Sequence, residues 1–322
     1  MNFGIRMSAS GKPSYSIIVV NHNGGSLIAR CIESVVRFTD DFELILVDNS
    51  STDGSDLAIA DVHPETVILK NRTNLGFSRA SNMGILHAKG PWIVLLNPDT
   101  IVTPNWLANL SECMKSSPRH GIATPKLMRP NDAIIDESGL TFDFSTGYTR
   151  GRGAGEVDKG QFNVRQEIPL CSFACTMIKR DVFKEIGLLD EKMFLYYEDV
   201  DFCLRARIAG WKVMYCPESL VYHTRGGLTP RSSIFRGNAV AYRLRIILKC
   251  YDSFNALKFG VARVFRDVVA MAAGIKNNDL GYFLAYLRSP FWNVINLPIQ
   301  ERRTLQSKRR VSDREIATLS GI

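Results

Sequence analysis

After a polar segment, residues 1–12, the chain turns to an unbroken β-branched run, Tyr15-Ser16-Ile17-Ile18-Val19-Val20. Such runs suit a strand buried on both faces of a parallel sheet. Ser26 to Phe38 follows with helical spacing (Leu27, Cys31, Val35, Phe38) and Ser26 as a candidate N-cap. Phe42 to Val47 is a second buried strand. Strand, helix and strand in this order predict a right-handed βαβ unit with a parallel sheet. The pattern continues with a short helix over 56–61 and a strand over 66–69. A helix opened by Asn74–Asn82 then runs through Ala88, and Trp92–Leu96 is a fourth strand. Further on, helices are predicted over 106–115 and 180–186, and strands over 123–128, 169–178, 211–215 and 220–223. The stretch 121–166 reads as largely irregular. Gly151-Arg152-Gly153-Ala154-Gly155 lacks the preceding apolar strand of a phosphate loop and is expected to be a flexible surface loop. Residues 233–275 keep 3–4 spacing throughout and predict helix.

Polar clusters follow three of the apolar strands: Asn21–Asn23, Asp48–Asp53 and Asn97–Asp99. Turn chemistry accounts for any one of them. All three at one sheet edge point to a ligand crevice, since open α/β sheets bind ligands beyond the carboxyl ends of their strands. A fourth cluster, Glu198-Asp199-Val200-Asp201, directly follows the aromatic run Phe194-Leu195-Tyr196-Tyr197. It serves either as the acidic first turn of a helix running to Ala209, closed by Gly210, or as a chemical site. His223 after the last strand offers an imidazole nitrogen that, with an Asp99 oxygen, suits a divalent cation.

Composition narrows the class. With 322 residues, 45% hydrophobic and 22% charged, the chain can form one large or two modest domains. Its seven cysteines form no CxxC pair, so free thiols in a reducing compartment are expected. Neither a signal-peptide core nor an eighteen-residue apolar window is visible. The net charge of +8 is uneven: residues 225–322 carry 17 Lys and Arg against 6 Asp and Glu, while residues 1–224 carry 23 against 26. The basic third is either a set of helices with solvated faces or an interfacial segment, over 233–314, for an anionic membrane. No recognition helix, RRM or zinc motif accompanies it, so nucleic acid is not an expected partner. No G-x-G-x-x-G turn follows the first strand, which argues against a dinucleotide-dependent dehydrogenase.

Taken in order, Ser16–Asn23, Val47–Gly54, Asn74–Phe77, Leu96–Asp99, Phe194–Asp201, Gly210-Trp211 and His223 resemble the family 2 inverting glycosyltransferases of GT-A fold. Within that family they are most similar to bacterial rhamnosyltransferase-like members. The resemblance covers about residues 14–228. It implies a Rossmann-like, mainly parallel sheet flanked by helices over 13–228, with a helical extension over 229–322. It also implies a nucleotide-sugar donor (dTDP- or UDP-linked), a divalent cation (Mg²⁺ or Mn²⁺) and a glycan or lipid-linked acceptor. By position, Asp99 matches the last aspartate of the DXD motif and would hold the metal with His223. Asn97 stands where that motif begins with a carboxylate. Asp48 matches the residue contacting the nucleobase. Asn21, Asn23, Asn74 and Gly76 match segments around the nucleoside, with Arg79 and Asn97 also on the donor side. Asp199 matches the catalytic base, supported by Glu198 and Asp201. Phe173 is a second departure, in a strand where relatives carry a small residue beside the acceptor. An enzyme of this kind is expected in the cytoplasm, peripheral on the inner membrane face. The alternative is a degenerate, non-catalytic member acting as a membrane-associated binding or assembly factor.

Overall fold

A computed structural model describes residues 12–225 and 233–319. The polar segment 1–12 lies almost wholly outside them, as does the expected boundary at 228/229. In chain order, β1 (Tyr15–Asn21), α1 (Gly25–Phe38), β2 (Phe42–Asp48), α2 (Leu57–Val62), β3 (Val67–Lys70), α3 (Phe77–His87) and β4 (Trp92–Leu96) alternate as the hydrophobic pattern predicts. The strands lie side by side as β4-β1-β2-β3, all parallel. Helix α1 starts with Gly24 as its cap rather than Ser26.

The second half is β5 (Thr100–Val102), α4 (Trp106–Lys115), β6 (His120–Met128), β7 (Ile135–Glu137), β8 (Leu140–Asp143), β9 (Tyr148–Gly151), β10 (Gln166–Glu167), β11 (Cys175–Lys179), α5 (Arg180–Ile186), α6 (Glu198–Ile208) and β12 (Lys212–His223). β11 runs antiparallel between β4 and β6, which completes a ten-stranded mixed sheet. Side chains alternate across it. Ile17, Val19, Leu44 and Leu46 pack with Ile28, Ile32, Trp106 and Leu110 on one face, while Ile18, Ile45 and Val47 pack with Ala80, Ile85 and Phe202 on the other.

Four expectations need correction. The stretch 121–166 contains several strands; they are short, and β7 carries two carboxylates in three residues, so no apolar alternation betrays it. The Gly151–Gly155 loop is packed at its start, because the Arg152 guanidinium lies 4.7 Å from the Phe162 ring and 5.4 Å from Tyr215, while Ala154 and Gly155 stay at the surface. The apolar run 169–178 is split, and only Cys175 onward pairs as β11. The cysteines are not all free: Cys113 on α4 and Cys216 on β12 form a disulfide with Cα atoms 6.4 Å apart. They are 103 residues apart in sequence and meet only because α4 lies on β12. The other five cysteines are buried thiols.

The helix predicted over 233–275 breaks into α7 (Ser233–Cys250) and α8 (Ser253–Lys276). Asp252 causes the break by capping α8, its carboxylate accepting the Asn255 N–H at 2.8 Å. Helices α9 (Leu280–Ile295), α10 (Ile299–Gln306) and α11 (Asp313–Leu319) follow. Much of the C-terminal positive charge is used internally. Arg245 (2.7 Å) and Lys249 (2.6 Å) both meet Asp190, and Arg245 also meets Glu301 at 3.0 Å. Lys249 reaches Asp201 too, which pairs with Arg205 at 2.7 Å. Arg302 donates to the Leu248 and Tyr251 carbonyls, and Arg310 pairs with Glu185 at 3.1 Å. This network fastens α7 and α10 to α6. Burial alone would raise the Asp190 carboxyl, but Lys249 and Arg245 hold it far below the usual carboxylate range. Replacing Asp190 with Ala leaves two buried cations each short of a partner. A loss of about 3 kcal/mol is expected in urea denaturation, and an unchanged midpoint would contradict the bracing role.

Candidate active site

The parallel register brings Asn21, Asp48 and Asn97 to one sheet edge, because β1, β2 and β4 end together. The loops there are interlocked. Asn21 Nδ2 lies 3.1 Å from Asp48 Oδ1, 3.0 Å from Ser51 Oγ and 2.8 Å from Ser55 Oγ. The Ser51 N–H donates to Asp48 Oδ2 at 3.1 Å, so the buried Asp48 carboxylate is held at both oxygens. Asn23, with a left-handed φ of 56°, accepts the Thr52 N–H through Oδ1 at 2.8 Å. Asn49 links the next loop, its amide donating to Asn74 Oδ1 (2.8 Å) and its Oδ1 accepting the Leu75 N–H (2.9 Å). Gly76 has φ 82°, and a Cβ there would sit 2.4 Å from the Phe194 carbonyl oxygen. The 74–76 loop therefore packs directly on the segment leading into α6. Arg79 projects from the start of α3 and pairs with Glu191 at 3.2 Å on the surface. The Asn97 backbone is pinned, its N–H donating to the Ala174 carbonyl at 2.9 Å.

β12 pairs antiparallel with β5, setting His223 opposite Thr100 and next to Asp99. His223 Nε2 is 3.3 Å from Asp99 Oδ1, while Nδ1 is 2.8 Å from Asp136 Oδ2 on β7. Burial lowers the imidazole pKa, but bonds to Asp136 and Asp99 outweigh it and push it up to about 9. Arg225 adds a cation 2.5 Å from the other Asp136 oxygen. A carboxylate clamped on Nδ1 fixes the ring and turns Nε2 toward Asp99, where a divalent cation would take the place of the Nε2 proton. An oxygen and a nitrogen at this separation fit two adjacent ligands of one divalent cation. Among the described residues no group of three or more His, Cys, Asp or Glu is placed to hold a metal.

The acidic cluster forms the first turn of α6. Tyr196 and Tyr197 precede it with φ of 72° and 68°. Two bulky residues in the left-handed region cost about 1–3 kcal/mol each and persist only where surroundings impose them. Phe194 supplies part of that constraint: its N–H donates to the Tyr242 hydroxyl (2.9 Å), and its carbonyl accepts the Phe77 N–H (2.7 Å). Residues 199 and 201 lie two apart on a helix and so project to nearly opposite sides. Asp201 is fully buried in the network with Arg205 and Lys249. Asp199 is only half-buried. Burial raises its carboxyl, the Val200 N–H at 2.7 Å opposes that, and Glu137 adds to it, leaving the pKa at about 7. Burial and the neighbouring Asp199 push Glu198 well above the carboxylate range, and its Oε2 is buried without a hydrogen bond. Both influences favour the neutral form of Glu198. Phe173 is buried, its ring packing against Phe202 with centroids 5.8 Å apart, while its backbone hydrogen-bonds to Asp199.

Asp136 and Glu137 went unnoticed in the sequence. They sit side by side on β7, one bonded to His223 and the other acting on Asp199, and so connect the two halves of the site. The available signal was weak: two carboxylates after Ile134-Ile135 in an irregular stretch. Asn49 was likewise missed as the organiser of the 71–76 loop.

The Glycosyl transferase family 2 model matches residues 16–187, and the chain belongs to that family. A protein of Sinorhizobium fredii is 28% identical over 228 residues, which is 66% of this chain but 24% of its own length. An N-acetylglucosaminyl-diphospho-decaprenol L-rhamnosyltransferase of Mycobacterium tuberculosis is 26% identical over 243 residues, 67% of this chain and 77% of its own. Rhamnosyltransferase WbbL of Escherichia coli is 22% identical over 64% of this chain and 82% of its own. Among solved structures, GalNAc-T7 with UDP, GalNAc and Mn²⁺ superposes with a TM-score of 0.60 at 19% identity, over 89% of this chain and 58% of that one. Mannosyltransferase PcManGT from Pyrobaculum calidifontis, in complex with GDP-Man and Mn²⁺, gives 0.53 at 16% identity, over 100% and 89%. The fold is GT-A.

Gly76 has both a left-handed φ and no room for a side chain. Gly76→Ala is expected to lower stability by at least about 2 kcal/mol and to weaken nucleotide binding, read by thermal melting with and without UDP. Wild-type melting in both conditions would remove the close-approach argument.

Proposed function

We propose that the protein transfers a hexosyl or deoxyhexosyl unit from a nucleoside-diphosphate sugar to a glycan or lipid-linked acceptor, inverting the anomeric centre in a single displacement. A rhamnosyl unit from a dTDP- or UDP-linked donor is the favoured case, since rhamnosyltransferases are among its relatives. The observation that carries the reading is the β7 pair. Asp136 supports an imidazole–carboxylate couple suited to a cation, and Glu137 helps tune a carboxyl to about 7 on the neighbouring helix. Residues 13–228 are assigned the transfer and residues 229–322 a supporting extension. A lipid-linked acceptor fits a site on the cytoplasmic face of the membrane.

In this mechanism the interlocked loops at Asn21, Asn23, Asp48 and Asn74 hold the nucleoside, with Arg79 and Asn97 at the margin. Asp99 and His223 would hold Mg²⁺ or Mn²⁺, and a bound cation supplies charge neutralisation for the leaving diphosphate. Asp199 accepts the proton of the acceptor hydroxyl as that oxygen bonds to the anomeric carbon and the carbon–oxygen bond to the diphosphate breaks. Burial and the neighbouring charge disfavour ionisation of Glu198, which favours Asp199 as the ionising member of the pair. Asp201 keeps α6 in place through Arg205 and Lys249. Asn97 in place of a carboxylate favours a second reading, a binding protein without transfer. Incubation with Mn²⁺ and sugar nucleotides separates the two, because only the enzyme releases nucleoside diphosphate.

Two outcomes test the roles. The base works deprotonated, so kcat/KM should rise through about pH 7 and level off above it. Asp199→Asn should lower kcat by at least about 10²–10⁴-fold with UDP affinity retained. A flat profile, or loss of UDP binding instead, would reassign the residue. Asp136→Asn removes the imidazole's support and should weaken Mn²⁺ affinity about 10–100-fold in calorimetric titration. Unchanged affinity would remove His223 from the ligand set.

A further inference from the structure

We propose that α8 and α9 form an interfacial docking face for an anionic lipid bilayer, and that this face is apolar at its centre. The inference deepens the lipid-linked-acceptor reading and rests on it for its purpose. One stripe of α8 exposes Phe254, Leu257, Val261 and Phe265 to solvent, Phe254 at 75% and Phe265 at 69%. The end of α9 adds Val294 and Ile295, the latter 82% exposed. The two helices border a groove of ≈870 Å³ floored by Leu244 and Leu248 of α7, so the apolar surface is continuous. Soluble monomers rarely expose more than a few hundred Å² of contiguous apolar surface, and a larger patch marks a docking site.

Charge selects the occupant. The polar face of α8 has its ions paired internally, since Arg263 meets Asp267 at 2.6 Å inside the helix packing. The charged residues of α8 and α9 left exposed are Lys258, Arg266, Lys276 and Arg288, against the single acid Asp279, which caps α9 through the Tyr282 N–H at 2.8 Å. Lys258 and Lys276 lie one residue on from Leu257 and Ile275 and so border the apolar stripe. An apolar centre with a cationic rim is complementary to an anionic bilayer. Two copies of the same face would oppose cation to cation. No described helix is long and apolar enough to cross a membrane, so α8 and α9 would lie in its surface. The face is rigidly joined to the site: α7 packs under both helices, and its Tyr242 holds Phe194 ahead of the acidic turn.

The test is flotation of the full chain with phosphatidylglycerol–phosphatidylethanolamine vesicles and with phosphatidylcholine vesicles, at about 0.1 M and about 1 M salt. Wild type should float with anionic vesicles and keep part of that binding at high salt. The exposed variant Phe254→Asp/Phe265→Asp should bind about tenfold more weakly at both salts. Lys258→Glu should weaken binding to anionic vesicles alone. A wild type that stays with the soluble fraction overturns the proposal, as do variants that bind like wild type. A stable dimer broken by Phe265→Asp, with no vesicle binding, assigns the face to a second copy instead. Nucleoside diphosphate release with a water-soluble acceptor, measured on the same preparations, keeps a failure of docking apart from a failure of the transferase reading.

Discussion

The buried ion network at the junction of α6 and α7 is the constraint from which the site follows. Arg245 and Lys249 are almost without solvent contact, and Asp190 and Asp201 lie between them. Buried ions are tolerated only when geometry repays the loss of hydration, and breaking one pair leaves an uncompensated charge. The network thus allows α6 one rotational setting. Helical periodicity then divides the acidic cluster, with Asp201 directed into the network and Asp199 toward the cleft. The same setting leaves Tyr196 and Tyr197 with positive φ, a strain the surroundings hold in place.

The remainder of the site is built from neighbours of neighbours. Asn21, Asp48 and Ser51 fix the first two loops to each other, and Asn49 fixes the third. Gly76 allows that third loop to touch the Phe194 backbone. β7 is too short to stabilise much by itself, yet Asp136 helps raise His223 against burial and Glu137 adds to the burial that raises Asp199. The Asp99–His223 couple and the turn carrying Asp199 are therefore joined through mostly buried contacts.

The N-terminal half was legible because Ile17–Val20 and Leu44–Val47 are continuous β-branched or aliphatic runs, a pattern few other structures satisfy. The strand-end clusters followed directly from them, and the family assignment rests on the same stretches. What escaped was carried by tertiary contact. Asp136 and Glu137 occupy a three-residue strand with no readable period. Cys113 and Cys216 have no local mark of their pairing. In the basic extension the pattern left open packed helices with solvated basic faces or an interfacial segment for an anionic membrane, and it did not show that Arg245, Lys249, Arg302 and Arg310 have partners within the protein. The unpartnered surface there is largely apolar, and sequence spacing alone had placed those residues on a packing face.

The proposed reaction is direct displacement with Asp199 as the only catalytic carboxylate at the anomeric centre. Proton NMR of the first-formed glycoside, followed in real time with a donor of defined anomeric configuration, tests it most directly. Direct displacement gives a product of the opposite configuration from the earliest spectra. Retention of the donor's configuration would require a covalent intermediate or a front-side path and would contradict it.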